Sequence, residues 1–173
     1  GLLVFADEPL LFVPAEKGSR HLLRMIREIL VAKPANPGTS VAGACDFLVR
    51  TLRRKSLVFL ISDFFSDPLD RPLGKLARKH ETVALRVMDP LEEKLPKAGK
   101  VVMIDPETGY ETRINTDNPN LRMGYAKLMR RQHEVAAAVF KKHGIDFADL
   151  ATHGDTLAEL HKLLKRRSRK RSR

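Results

Sequence analysis

The apolar positions of this chain change period several times, and each change marks an element. Leu57-Val58-Phe59-Leu60-Ile61 is an unbroken apolar run between Lys55 and Asp63, the pattern of a strand buried on both faces. Leu2 to Phe5 and Thr82 to Met88 repeat it. Leu10 to Val13, after Pro9, reads as an antiparallel edge strand beside the first. Between the runs, apolar residues recur at helical spacing. Leu22, Leu23, Ile26, Ile29 and Leu30 form one stripe opened by Ser19, with Arg20, Arg24, Arg27 and Glu28 turned outward. After the break Lys33-Pro34-Ala35-Asn36-Pro37-Gly38, Thr39 or Ser40 caps a second helix, striped by Val41, Ala44, Cys45, Leu48 and Leu52. Leu69, Leu73 and Leu76 mark a third helix to about His80, with Asp67 as N-cap and Pro68 at its first position.

The second half continues the alternation. Lys100 to Asp105, the turn Pro106-Glu107-Thr108-Gly109 and Tyr110 to Asn115 predict a hairpin with Gly109 in the left-handed position. A long helix follows from Pro119 to about His143, with Leu121, Tyr125, Leu128, Val135, Val139 and Phe140 inward and Gly144 as its stop. Ile145 to Leu150 is the last strand, and Leu157, Leu160 and Leu164 mark a closing helix. Strands alternating with helices predict a doubly wound α/β fold with a mostly parallel sheet, the hairpin being an insertion on that plan. Right-handed crossovers would then set the carboxyl ends of the strands on one rim, where ligands of such sheets bind. Asp7, Asp63 and Asp89 would lie along it.

Composition refines this picture. A chain of 173 residues, 43% hydrophobic, holds one domain with a sizeable core, expected over residues 1–164. Of the net charge of +11, seven come from Lys165, Arg166, Arg167, Arg169, Lys170, Arg171 and Arg173. Residues 165–173 therefore read as a disordered, solvated basic tail. Such a tail offers phosphate contacts to nucleic acid without sequence specificity, since no aromatic stacking platform accompanies it. Cys45 is the sole cysteine; it forms no internal disulfide and reads as a buried thiol in a reducing, cytoplasmic compartment. No apolar run approaches the roughly 20 residues of a membrane helix, and no signal-peptide pattern opens the chain. Gly1 already stands inside an apolar strand, so the chain reads as a piece of something longer.

The candidate chemistry is sparse. Asp63 ends a buried strand and has no evident capping duty, which makes it the leading site candidate. Thr39 stands in a good position for a helix cap, a role that can coexist with a site role, and Asp89, before Pro90 and Glu92, suits a helix start. The six histidines show no zinc spacing and read mostly as surface residues. No nucleophile elbow, phosphate loop or dinucleotide fingerprint is present. A metal-dependent hydrolase using Asp63 would lack a general base and a second set of ligands. The expectation is a binding protein, not an enzyme.

Several pieces, in order, resemble one bacterial family: Gly1-Leu2-Leu3-Val4-Phe5, Gly38-Thr39-Ser40, Leu57 to Phe64, Asp89-Pro90-Leu91-Glu92 with Leu95-Pro96, and Asp105-Pro106-Glu107-Thr108-Gly109. The chain is similar to the carboxyl-terminal portion of proteins in the domain-of-unknown-function family fifty-eight, whose folded part is von Willebrand factor A-like. The resemblance implies a metal-ion-dependent adhesion site, where a divalent ion, usually magnesium, takes its last ligand from an acidic group of a partner. Thr39 and Asp63 match two of its three parts. The third, an Asp-x-Ser-x-Ser loop, is absent, because this chain begins after the place where it would stand. The strand before that loop would lie mid-sheet, between Leu2–Phe5 and Leu57–Ser62, so a slot is expected there and magnesium binding should be weak. Family members are often encoded beside MoxR-type AAA+ ATPases, which implies such a partner.

Overall fold

A computed structural model describes residues 1–34, 38–65, 68–105 and 109–171. In chain order the elements are β1 (Leu2–Phe5), β2 (Pro9–Val13), α1 (Ser19–Val31), α2 (Val41–Thr51), β3 (Leu57–Ser62), α3 (Asp70–Lys79), β4 (Glu81–Met88), α4 (Pro90–Glu93), β5 (Lys100–Ile104), β6 (Glu111–Asn115), α5 (Pro119–Lys142), β7 (Asp146–Ala151) and α6 (Thr156–Arg171). The fold is α/β. Its centre is a parallel sheet in the order β3-β4-β7, with Leu57 opposite Glu81 and Val83 opposite Asp146. The antiparallel pairs β1-β2 and β5-β6 form two small sheets of their own. The expected sheet is therefore divided, and β1 does not pair with β3.

Local chemistry sets most boundaries. Ser40, and not Thr39, is the cap of α2, accepting a bond from the Gly43 N–H at 3.0 Å, and Asn118 caps α5 from the Asn120 N–H at 2.9 Å, with Pro119 in the first turn. Gly109 and Gly144 take φ of 70° and 65°, as turn and helix stop require. The expected cap at Asp67 and the turn residues Pro106 to Thr108 lie outside the described residues, as do Ala35 to Pro37 of the predicted break.

Two apolar clusters cover the central sheet. On one face α2, α3 and α5 bury Val41, Cys45, Leu73, Leu76 and Phe140 against Val58, Leu60 and Ala84. On the other, Leu163 of α6 packs on Val83, Leu85 and Leu150. α6 thus covers β4 and β7. β3 is different: Val58 and Leu60 are buried, but Leu57, Phe59 and Ile61 are 47%, 44% and 57% exposed. This corrects the expectation of burial on both faces: alternate side chains of β3 stay largely in solvent. α1 is corrected in the same way. Its stripe of Leu22, Leu23, Ile26, Ile29 and Leu30 faces solvent, and His21 is the residue it buries.

The tail is a further correction. Residues 165–171 continue α6 and are not disordered. Arg167 is buried, donating to Asp146 at 2.9 Å and pairing with Glu81, while Arg166 donates to the Phe147 carbonyl at 2.8 Å. Two carboxylates at the amino ends of β4 and β7 thus dock a run that composition alone would leave in water. Ser172 and Arg173 lie outside the described residues.

Candidate functional site

β3 bonds to β4 along one edge and β1 to β2 along one edge. The remaining edges border a groove of about 670 Å³ lined by Leu2 to Phe5 of β1 and the whole of β3, with Ala44, Leu48 and Leu52 of α2 also on its wall. Thr39 and Asp63 both line it. The loop carrying Thr39 is tied to the end of β1 by the bond from the Ser40 N–H to the Ala6 carbonyl, 2.7 Å. Asp7 neighbours that loop, since a Cβ added to Gly38 would lie 3.7 Å from the Asp7 Cβ. Strand direction therefore brings Thr39 and Asp63 to one rim, with Asp7 beside the Thr39 loop.

Asp63 has a local task that sequence reasoning missed. Its Oδ1 accepts bonds from the Phe65 N–H at 3.2 Å and the Ser62 hydroxyl at 3.3 Å, while the Ser62 Oγ accepts from the Phe64 N–H at 3.1 Å. These bonds close a tight corner after β3. Phe64 leaves the usual range of an L-residue there: its φ is 61°. A bulky residue in the left-handed region is a conformation that persists only where its surroundings enforce it. Burial of the ring and its edge-on contact with Phe140, 4.9 Å between centroids, supply that enforcement. The exposed Asp63 carboxylate is thus held at the groove by its own corner.

Asp89, after β4, shares the carboxyl rim but stands outside the groove. It borders a second, small crevice with Glu92, Glu93, Phe65 and His133, and its carbonyl accepts from the Glu92 N–H at 3.0 Å, in keeping with a helix-start role. Phe65 stacks on His133 at 5.7 Å. Burial first, and then the nearby Arg86 guanidinium, holds His133 below the ordinary imidazole range. Arg86 itself is buried, bonded to both Asp149 oxygens at 2.8 and 2.9 Å and to the His133 carbonyl at 2.8 Å. No sequence signal marked this link, because Arg86 sits inside an apolar run. His21 and His80 are also buried rather than surface residues. Cys45 is buried as expected, and burial followed by Asp46 pushes its thiol up to about 12, which keeps it unreactive.

A divalent cation of the magnesium type wants near-octahedral oxygen coordination. Among the described residues no group of three or more His, Cys, Asp or Glu side chains is placed to hold a metal ion. The groove rim offers the Asp63 carboxylate and the Thr39 and Ser62 hydroxyls. That donor set falls short of a cation site by itself. Also among the described residues, no helix is long and apolar enough to cross a membrane.

The family model described as Protein of unknown function DUF58 matches residues 1–135. An uncharacterized protein of Mycobacterium avium is 35% identical over 161 residues, covering 91% of this chain and 94% of that protein. An uncharacterized protein of Mycobacterium tuberculosis H37Rv is 32% identical over 173 residues, 98% of this chain and 54% of its own length. This chain thus spans about half the length of the tuberculosis relative. The crystal structure of conserved hypothetical protein BatB from Bacteroides thetaiotaomicron aligns with a TM-score of 0.49 at 17% identity, covering 94% of this chain and 78% of that one.

Proposed function

This chain belongs to the family described as Protein of unknown function DUF58, and from that premise we propose that it is a non-catalytic protein-interaction module whose working surface is the β1–β3 groove. One observation carries the reading. Two strand edges border an apolar groove, and Thr39 and Asp63 stand at its rim. Strand edges of this kind recruit an extended segment through main-chain hydrogen bonds, with side-chain pockets supplying selectivity. In a von Willebrand factor A-like sheet the groove is the place of the first strand, and the division between β1 and β3 supports that reading.

Magnesium, in this reading, would use Asp63 and Thr39 with further oxygens contributed by whatever fills the groove; alone the chain binds it weakly. The proposed partner is a MoxR-type AAA+ ATPase, as in a cytoplasmic chaperone-like pairing. The test is calorimetric titration of the chain with such an ATPase from a bacterium that encodes both. Saturable binding is expected, weakened tenfold or more by Asp63→Ala and Thr39→Ala together. Absence of binding, or binding indifferent to both substitutions, would overturn the proposal.

A further inference from the structure

Parallel topology sorts charge in a way that chain order hides. Each helix-to-strand junction of the central sheet lies at the amino ends of the strands, and each carries exposed cations: Arg53-Arg54-Lys55 before β3, Arg78 before β4 and Lys141 before β7. α6 adds to the same rim. Arg167 is anchored to Glu81 and Asp146, the first residues of β4 and β7, so the end of that helix is fixed there. Lys165 and Arg169, which flank Arg167 in the helix, are exposed. The two carboxylates that open β4 and β7 are already engaged by Arg167. The opposite rim carries Asp63 and Asp89. One end of the sheet is therefore electropositive although the chain before residue 165 carries only a mild net positive charge.

We propose that this amino rim binds the phosphodiester backbone of double-stranded DNA without sequence specificity. Adjacent strands are about 4.8 Å apart and a flanking helix adds about 10 Å, so the rim of three strands and α6 is roughly 20 Å long. Its seven cations are spread over a length equal to about six of the roughly 3.4 Å steps along the axis of duplex DNA, each of which carries one charge per strand. Arginine dominates the set, and its planar fork suits phosphate oxygens. A membrane surface fits less well, since an interfacial helix needs an apolar face and residues 165–171 of α6 contain no apolar side chain. Sequence readout has little to carry it, because five of the seven cations sit at junctions and the other two, Lys165 and Arg169, lie on a helix whose end Arg167 holds against the sheet. The rim is distinct from the Thr39–Asp63 groove, and this inference does not depend on it.

Fluorescence anisotropy with a labelled 20-base-pair duplex tests the assignment on the full chain. About five phosphate contacts give a log–log salt slope near −4.5, or roughly a 500-fold loss of affinity between 50 and 200 mM salt. With the slope shared among seven cations, the variant Arg53→Gln/Arg54→Gln/Lys55→Gln should flatten it by about 2, and Lys165→Gln/Arg169→Gln by about 1. A control of equal charge change, Arg20→Gln/Arg24→Gln/Arg27→Gln on α1, should bind within twofold of the parent. All these side chains are exposed, and circular dichroism of each variant verifies its fold. Equal losses in rim and α1 variants would reduce the effect to net charge and sink the proposal. So would no duplex binding at 50 mM salt, or rim-dependent binding to phosphatidylglycerol vesicles in its place.

Discussion

Arg167→Ala should destabilise the protein by about 2 to 4 kcal/mol, a large effect for a residue that composition assigns to a solvated tail. The Arg167 side chain is 9% exposed, and its partners Asp146 and Glu81 are 15% and 30% exposed. Removing one member of a fully buried pair costs about 3 to 5 kcal/mol, because the remaining charge stays out of water without a partner. An exposed pair is worth about 0 to 1 kcal/mol. Here the abandoned charges are two, but both carboxylates keep some access to solvent, so the cost falls between these limits and nearer the first. Urea unfolding followed by far-ultraviolet circular dichroism at pH 7 measures it, with the slope on denaturant unchanged if the native fold is kept. Combining Arg167→Met with Asp146→Asn removes charge from both sides and should recover part of the loss, since the apolar stem can still pack beside Leu163. A loss under about 0.5 kcal/mol for Arg167→Ala would place the pair among ordinary surface contacts. It would mean that the last turns of α6 are not docked on the sheet, and the reasoning from buried ion pairs would fail.

Two other substitutions probe the interior. Phe64→Gly relieves a left-handed residue of about 1 kcal/mol of strain but deletes a buried ring worth about 3 to 5 kcal/mol; a net loss of about 2 to 4 kcal/mol is expected, and a gain in stability would show that strain outweighs packing at this corner. His80 is buried with neither ring nitrogen hydrogen-bonded among the described residues, and burial, then Lys79, holds its pKa below the ordinary value. The unfolded chain therefore takes up the proton more readily. This contribution to stability is fully present above about pH 6.5 and is lost as pH falls through the folded value. Unfolding midpoints at pH 7.5 and 5.5 should drop on acidification, and less so in His80→Gln; an equal drop in both would assign the effect to other groups such as His133.

Much of the fold was legible because local chemistry and period agreed. β4, β7 and α5 appear where apolar runs, helical spacing, Pro119 and Gly144 place them, and the rim that gathers Thr39 and Asp63 follows from strand direction once the alternation of strand and helix is recognised. What could not be read was pairing across distance. Arg86 and Asp149 are 63 residues apart, Arg167 and Glu81 are 86 apart, and nothing in either neighbourhood announces the other. The corner at Phe64 was hidden for another reason: the bonds from Asp63 and Ser62 that shape it are local, but a phenylalanine in the left-handed region runs against propensity and is fixed by a ring on α5.

The misjudged burial of β3 and α1 points in one direction. Leu57, Phe59 and Ile61 on β3, and Leu22, Leu23, Ile26, Ile29 and Leu30 on α1, carry the sequence pattern of buried positions yet remain largely exposed. Scattered exposed leucines are ordinary, but two complete periodic stripes are not. Each such side chain would contribute about 1 kcal/mol or more if the rest of its surface left water, at about 25 cal/mol per Å². Ile29, β1 and β3 all line the same groove, so these stripes adjoin one another. A segment seated between β1 and β3 would pair their main-chain edges and extend the apolar surface that α1 can cover. The periodicity of these two elements is thus matched to a surface that the described residues do not cover, the surface that the proposed interaction would use.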